Sequence, residues 1–313
     1  MADQNRTQTP TAKEEEESIG PATPSPHPRA ASRSPSPLAP SVARLWRPAA
    51  QRNLKNQWSK LASLTQQWKS SSSASRSHAT SLVNAYLSLT YIPSMELGVL
   101  SDMPDIRKKG SWKLLKQQEG HRTKLLSSYK DMVGVVAQMV KISKSMRLYL
   151  KVGSASSLVQ FSDFSEDKND PGDGGGIPIF TFWSISYFEK LAEELVQMLI
   201  SELNLKRLLV VELLSTSCES SMLNKFNWTD ELYTGEFDDL SICNLYSGET
   251  SEPVFPRLQV SKSNVPAARS NQQPNREIMQ VYLTTWLAEV NIDTHSVDEI
   301  FSLVGEEMHV NLS

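Results

Sequence analysis

The sequence predicts an all-α fold: an elongated antiparallel helical bundle or coiled coil, with a disordered N-terminal tail and long disordered insertions. Apolar residues recur every three or four positions in four segments, which is the period of an amphipathic helix. The intervening segments are rich in Pro, Ser, Gly and charged residues. Only 39% of the 313 residues are hydrophobic, so part of the chain is expected to stay outside the core.

Residues 1–45 are predicted to form a disordered Pro/Ser-rich tail. This segment combines many prolines with the acidic run Glu14–Glu17, and it offers too little apolar surface to offset the entropy cost of ordering. Its Ser/Thr-Pro dipeptides match the minimal motif of proline-directed kinases and give four candidate phosphorylation sites: Thr23, Ser25, Ser34 and Ser36. A linker with incidental dipeptides is the alternative interpretation.

The first helical segment is predicted over 46–91 and contains a pair of tryptophans. Its apolar face is formed by Leu54, Trp58, Leu61, Leu64 and Trp68. The run Ser70–Ser73 weakens the pattern, so two helices and one interrupted helix are both open. Residues 92–118, which include Pro93 and Pro104, are expected to be a linker.

A heptad helix is predicted over 119–150. Steps of four and three residues connect Leu125, Tyr129, Met132, Val136, Met139, Ser143, Met146 and Leu150. Burial of its apolar side chains provides about 10–20 kcal/mol, which is less than the roughly 26–52 kcal/mol of backbone entropy lost on ordering 26 residues. The helix must therefore pack into a bundle, either that of its own chain or that of a partner.

The second half of the chain is expected to alternate loops with helices. An acidic, Gly-rich loop is predicted over 151–178. The segment 179–214 is predicted to contain a long helix that starts near Ser184 and ends near Leu214, with apolar residues on more than one flank. Residues 215–274 lose the periodicity and are predicted to be a disordered insertion, with at most a short ordered piece around Phe226–Tyr233. Two C-terminal helices are predicted within 275–310.

The sequence offers no catalytic, cofactor-binding or metal-binding candidate, so we predict that the protein is not an enzyme. The glycine run ending at Gly176 lacks the Lys-Ser/Thr of a phosphate loop, and the His and Cys residues lack metal-ligand spacing. A net charge of −3 gives no basic nucleic-acid footprint, and no apolar run approaches the length of a membrane span. Two cysteines fit a reducing compartment. For the cluster Arg107–Lys109, a solvated loop is favoured over a nuclear import signal.

Two segments are more specific than amphipathicity requires. The first contains Pro178, Phe180, Trp183, Phe188, Leu195, Met198, Glu202, Leu205, Lys206 and Arg207. The second reads Tyr282-Leu283-x-x-Trp286-Leu287. Together they resemble the cyclin-dependent kinase 2-interacting protein (CINP) family, and the pair Trp58 and Trp68 is similar to that family's first helix. Two features depart from the family pattern: the tail is longer, and residues 215–274 separate helices that are nearly adjacent in the family.

The resemblance implies a non-enzymatic helical adaptor in the nucleus, with the cytoplasm as a second location. It implies association with cyclin-dependent and replication-initiation kinases, with the ATR-interacting protein of the replication checkpoint, and with subunits of an AAA-type ATPase complex linked to ribosome maturation. No direct contact with nucleic acid or membrane is expected. A structural, homo-oligomeric coiled-coil subunit of another intracellular assembly, associating through the 125–150 stripe, is the alternative.

Such an adaptor would bind partners through the segments that carry the resemblance. The candidate interface residues are Trp183, Phe188, Leu195, Met198, Glu202, Leu205, Lys206, Arg207, Leu209, Tyr282 and Trp286. Glu202 lies on the apolar stripe, where an unpaired carboxylate is costly, and Lys206 and Arg207 are its candidate partners. An intrahelical pair and an interface role are both open for it. For Trp183 a packing role at the end of the bundle is favoured over an exposed anchor.

Overall fold

The computed structural model describes residues 40–103, 105–151, 158–160, 171–216, 226–256 and 276–312. Within these ranges the helices are α1 (Pro40–Tyr91), α2 (Ile106–Ser143), α3 (Ile185–Ser215), α4 (Glu236–Ile242), α5 (Arg276–Ala288) and α6 (Thr294–Met308). Two short antiparallel ladders pair β1 (Tyr149–Lys151) with β2 (Leu158–Gln160), and β3 (Tyr246–Ser247) with β4 (Glu252–Pro253). The all-α prediction is confirmed. The candidate phosphorylation sites lie outside the described residues.

Helix α1 is one uninterrupted helix of 52 residues, about 78 Å long. It begins before the predicted boundary at 46 because Trp46 extends the apolar face: this side chain is buried, and its Nε1 donates to the Leu148 carbonyl at 3.1 Å. The run Ser70–Ser73 does not break the helix. Both tryptophans of the predicted pair, Trp58 and Trp68, are buried in the core.

Helix α2 packs antiparallel against α1. Near one end Asn53 Nδ2 donates to the carbonyls of Ser145 and Met146, at 3.1 and 3.0 Å, and near the other end the His78 and His121 rings lie 6.2 Å apart. The heptad positions Leu125 through Met139 are buried. The stripe is therefore covered by the chain's own helices.

The predicted limits of α2 were wrong at both ends. The helix starts at Ile106, inside the predicted linker 92–118, because a proline at 104 restricts only the positions around it. It ends at Ser143 rather than near 150, since the carbonyls that follow accept hydrogen bonds from α1 side chains and the chain then enters β1. Within the predicted loop 151–178, Gly174 has a φ of +69° and an added Cβ would clash with the Trp46 ring.

Helix α3 runs antiparallel to α2. Arg147, just after α2, forms a bidentate ion pair with Glu189 at 2.8 and 2.9 Å, and Arg122 near the other end of α2 donates to the Thr216 carbonyl at 3.4 Å. The helix begins at Ile185, directly after Ser184, near which its start was predicted within the segment 179–214. Helices α5 and α6 pack on the α1–α3 layer, with Phe301 of α6 edge-on to Trp58 at a centroid distance of 6.0 Å.

The prediction that 215–274 is a disordered insertion allowed a short ordered piece around Phe226–Tyr233, and it was wrong for residues 234–256, which are ordered as well. Residues 226–256 fold onto α2 as the segment that contains α4 and the β3–β4 ladder, and they bury Trp228, Leu232, Leu240 and Leu245. The apolar residues are spaced for a short helix and tight turns rather than for one long helix, so no single period appears in the sequence. Residues 217–225 and 257–275 lie outside the described part.

The buried thiol of Cys243 reports whether this segment is folded. Burial, followed by the negative charge of Asp239, raises the pKa of Cys243 from 9.0 to about 12. We expect native Cys243 to react about 1,000-fold more slowly with iodoacetamide near neutral pH than in the unfolded chain, because each pKa unit lowers the thiolate fraction tenfold. The rate is measured in a Cys218→Ser background. Equal rates in native and denatured protein would contradict the described packing.

The same pKa shift has a consequence for stability. The folded state keeps the Cys243 proton to higher pH than the unfolded state, so this contribution is fully present below pH 9.0 and is lost as the pH rises towards about 12.

Candidate functional site

Three charged residues of α3 lie in the protein interior. Glu202, Lys206 and Arg207 expose 0%, 0% and 1% of their surface. They are buried because α3 packs on α2 along one flank and on α5 and the 226–256 segment along others. Since a buried charge is costly unless it is paired, the partners of these residues define the polar interior of the bundle.

Lys206 connects α3 to the end of α5. Its Nζ lies 3.4 Å from Glu202 Oε1, one turn earlier on α3, and donates to the Trp286 carbonyl oxygen at 3.0 Å. It also lies 4.4 Å from the centroid of the Trp286 ring, a cation–π geometry. Burial lowers the pKa of Lys206, and the negative charges of Glu202 and Glu289 offset part of that effect.

The second oxygen of Glu202 binds the turn that follows α5. Its Oε2 accepts hydrogen bonds from the backbone nitrogen and the side-chain Nδ2 of Asn291, both at 3.1 Å. The pairing of Glu202 with Lys206 is therefore an intrahelical ion pair, as one of the two interpretations predicted. Arg207, the other candidate partner, binds elsewhere.

Glu289 extends this polar group to α1. Its Oε1 accepts from the Ser72 hydroxyl at 2.5 Å, and its Oε2 lies 2.5 Å from Arg76 Nη2. Lys206 Nζ is 3.8 Å from Oε1. Small serine side chains let the end of α5 approach α1 closely, so the run that weakened the apolar pattern of α1 is the place where α5 docks.

Arg207 holds the 226–256 segment against α3. Its Nε donates to Glu236 Oε1 at 2.9 Å, and its two terminal nitrogens donate to the carbonyls of Trp228 and Asp230, each at 2.9 Å. The guanidinium carbon lies 4.6 Å from the centroid of the Trp228 ring. A planar guanidinium suits this site because it directs several donors at once.

Glu236 is shared between Arg207 and α2. The Tyr129 hydroxyl donates to Glu236 Oε1 at 2.8 Å, and the Leu232 nitrogen donates to Oε2 at 2.7 Å. Burial, followed by the charge of Glu236, raises the pKa of Tyr129 well above its usual 10.0. Tyr129 occupies a heptad position of α2, and its hydroxyl group is the point at which α2 binds the folded part of the insertion.

Trp183 packs at the end of the bundle, which is the role that the sequence analysis favoured over an exposed anchor. Its half-buried ring contacts Phe188 and Tyr187, at centroid distances of 5.4 and 4.5 Å. The backbone around it is held by α6, where Glu307 Oε1 accepts hydrogen bonds from the nitrogens of Thr181, Phe182 and Trp183 at 2.9, 2.6 and 2.9 Å.

Glu307→Ala is expected to lower the free energy of unfolding by about 2–3 kcal/mol, because three backbone donors lose a charged acceptor. Urea denaturation measures the loss. The matched control is Glu306→Ala, since Glu306 is the exposed neighbour on α6 and makes one long hydrogen bond to Ser302. Equal losses in the two variants would show that Glu307 does not hold the start of α3.

The structure does not bring the eleven candidate interface residues together as a surface. Seven are buried in the chain's own core: Phe188, Leu195, Glu202, Lys206, Arg207, Leu209 and Trp286. The other four are half-buried and pack against it: Trp183, Met198, Leu205 and Tyr282. The sequence segments that carry the resemblance therefore build the bundle interior, and the prediction that the seven buried side chains face a partner is corrected.

Several carboxylates that hold the bundle together were missed. Glu307 follows Ile300 and Val304 at helical spacing on the buried face of α6, so it carried the same signal that identified Glu202. Glu236 and Glu289 lie at helix ends without a periodic context, and nothing in the sequence marks them as buried.

Exposed apolar side chains gather instead around the connection between α1 and α2. Met95, Val99 and Met103 expose 50%, 94% and 53% of their surface, and Trp112 in the second turn of α2 exposes 66%. Arg107 ties the connection to α2 by donating to the Met95 carbonyl. Scattered single apolar residues are ordinary on a surface, but such a grouping is typical of a binding site.

The same part of α2 carries a stripe of positive charge. A shallow surface groove of about 770 Å³ is lined by Asp105, Lys108, Lys109, Trp112, Lys113 and Lys116. These positions follow the three- and four-residue steps of one helix face. Lys116 Nζ lies 5.6 Å from the centroid of the Trp112 ring. We call the exposed residues of 95–116 the α2 basic–apolar surface. The prediction that Arg107–Lys109 lie in a solvated loop is corrected: these residues are exposed to solvent, but they belong to the first turn of α2.

The fold and these sites define a helical bundle with an ion-paired interior and one exposed basic–apolar surface. No protein-family model and no curated protein matches the sequence. In the described part of the chain, no helix is long and apolar enough to cross a membrane. Within the same ranges, His, Cys, Asp and Glu side chains do not gather in groups of three or more that could hold a metal ion.

Proposed function

We propose that the protein is a non-enzymatic nuclear adaptor that links larger assemblies through helix-mediated protein–protein contacts. Its partners in this proposal are subunits of an AAA-type ATPase complex, cyclin-dependent and replication-initiation kinases, and the ATR-interacting protein. Its processes are DNA replication, the replication checkpoint and ribosome maturation. The proposal takes its partners from the resemblance of residues 178–214 and 282–287 to the CINP family.

One observation supports this reading of the two segments. They are far apart in the chain, yet Lys206 of the first binds the Trp286 carbonyl and ring of the second. The two segments that resemble the family therefore meet at one buried contact. This is expected of positions that define a common fold, and it leaves the outer faces of the helices available for partners.

The experiment is affinity purification of the tagged full chain from nuclei with quantitative mass spectrometry. Enrichment of AAA-type ATPase subunits, together with nuclear localisation by imaging, is the expected outcome. Their absence from the purified material would contradict the proposal. Substitution of Leu195, Leu205 and Leu209 by Asp does not test binding, because two of these side chains are buried and the third packs against the core, so the fold itself would be disrupted.

The homo-oligomeric coiled-coil alternative gains no support from the fold. It requires an exposed stripe on α2, but Met132, Val136 and Met139 are fully buried within the chain. Sedimentation of the purified full chain as a monomer is the result expected from this arrangement.

A further inference from the structure

We propose that the α2 basic–apolar surface binds an acidic segment of another protein, one that carries apolar side chains among its carboxylates. This inference rests on the proposed adaptor function and names the chemistry of one partner.

The charge of the surface selects an acidic occupant. Arg107, Lys108, Lys109, Lys113 and Lys116 are all exposed. They outnumber the three exposed carboxylates of the same surface, which are Asp105 just before α2 and Glu96 and Asp102 in the connection. Four of these cations line the groove around Trp112. Their side chains make no ion pair within the described residues, so their charges are available to carboxylates of a partner.

The apolar part of the surface selects a protein over a nucleic acid. Val99 and Met103 are aliphatic and largely exposed, and such side chains gain most from apolar side chains on the partner. The basic stripe spans only about 17 Å of helix. It lies in a chain of net charge −3 and pI near 6.0, whereas nucleic-acid-binding domains are typically strongly basic.

Other segments of this chain are poorer occupants. The acidic stretch 161–170 lies between residues held beside the C-terminal end of α2, where Arg147 Nη1 donates to the Pro171 carbonyl and β1 pairs with β2, whereas the groove around Trp112 lies about 46 Å away along this helix. Residues 257–275 precede α5, whose first residue, Arg276, lies 5.7 Å from the centroid of the Tyr91 ring near the surface. That segment carries Arg257, Lys262 and Arg269 and no acidic residue, so its charge has the wrong sign. The acidic run Glu14–Glu17 carries no apolar side chain among its carboxylates, so it does not match the apolar part of the surface.

The test measures binding of the purified full chain to fluorescein-labelled probes by anisotropy. The probes are a helical peptide of Glu and Leu, the same peptide with Gln in place of Glu, and a duplex oligonucleotide. The Glu peptide is expected to bind, and its affinity should fall as salt rises. Trp112→Ala is expected to weaken binding about 30-fold, and Lys109→Glu with Lys113→Glu about 10-fold or more.

Exposed lysines elsewhere provide the matched control. Lys60→Glu with Lys190→Glu makes the same change in net charge on α1 and α3 and should leave the affinity within about twofold, because screened charges outside the contact add little. Far-ultraviolet circular dichroism checks that all variants are folded.

Three results would overturn the inference. They are equal affinity for the Glu and Gln peptides, tighter binding of the oligonucleotide than of the Glu peptide, and variants of the surface that bind like the control. Tighter peptide binding by Glu14–Glu17→Gln would identify the chain's own acidic run as the occupant and would also overturn it. These outcomes differ from failure of the adaptor function, in which the wild-type chain retains no AAA-type ATPase subunits whether or not the Glu peptide binds.

Discussion

Replacement of Arg207 by methionine is expected to lower the free energy of unfolding by about 3–5 kcal/mol, one of the two largest single-residue effects expected for this chain. Methionine keeps much of the length of the side chain but removes its charge. Glu236 then stays buried at 0% exposure without its cationic partner, and the carbonyls of Trp228 and Asp230 lose their donors. Urea denaturation followed by circular dichroism measures the loss.

The control is the ion pair of Arg147 with Glu189, whose side chains are 40% and 18% exposed. Arg147→Met should cost much less, because water solvates the remaining carboxylate. A second variant, Arg207→Lys, keeps the positive charge but cannot direct donors to Glu236, Trp228 and Asp230 together, so we expect an intermediate loss. If Arg207→Met costs no more than Arg147→Met, Arg207 does not hold the 226–256 segment.

The sequence predicts the regular helices of this fold well because the apolar residues of each helix recur with the helical period. The stripe from Leu125 to Met139 is buried, and α3 and α6 begin and end close to the predicted positions. Such patterns require only that one face of a helix meets a core. The C-terminal end of α2 was missed because it depends on contacts with α1, such as those of Asn53 and Trp46, which lie about 100 positions earlier in the chain.

The folded part of the insertion could not be predicted for a related reason. Residues 226–256 are ordered by Arg207 and Tyr129, which lie on two other helices, and by Trp228, whose Nε1 donates to the Pro253 carbonyl at 2.9 Å. The local composition, which includes seven acidic residues, gives no sign of these partners. A short segment of this kind becomes ordered only when distant side chains satisfy its polar groups.

The sequence identified the residues of the candidate site, but it did not predict what these residues do. Glu202, Lys206 and Arg207 were selected because charged residues on an apolar stripe need an explanation, and each has one in the structure. The explanation is intramolecular in all three cases, since α5 and the 226–256 segment cover the flanks that were predicted to face a partner. The exposed surface at Trp112 was not singled out, because an exposed tryptophan and a buried one look alike in a helical sequence.

Lys206→Met is the second substitution with a large expected effect, again about 3–5 kcal/mol lost from the free energy of unfolding. It leaves Glu202 buried without its cation and removes the donor to the Trp286 carbonyl, which loosens α5 from α3. In contrast, the double variant Glu202→Gln with Lys206→Met carries no unpaired charge at either position and should recover most of the loss. Failure of the double variant to recover would show that packing, rather than charge, holds this contact.

The pH dependence of the free energy of unfolding separates the contribution of the Lys206 charge from the contribution of packing. Because the pKa of Lys206 is lowered in the folded state, the unfolded chain binds this proton more tightly between the lowered value and 10.5. The free energy of unfolding therefore gains a contribution that rises with pH across that interval. Lys206→Met should remove this contribution, so the difference in stability between wild type and variant should widen with rising pH. A difference that is constant with pH would mean that Lys206 titrates in the folded protein as it does in the unfolded chain, which would contradict a pKa lowered by burial.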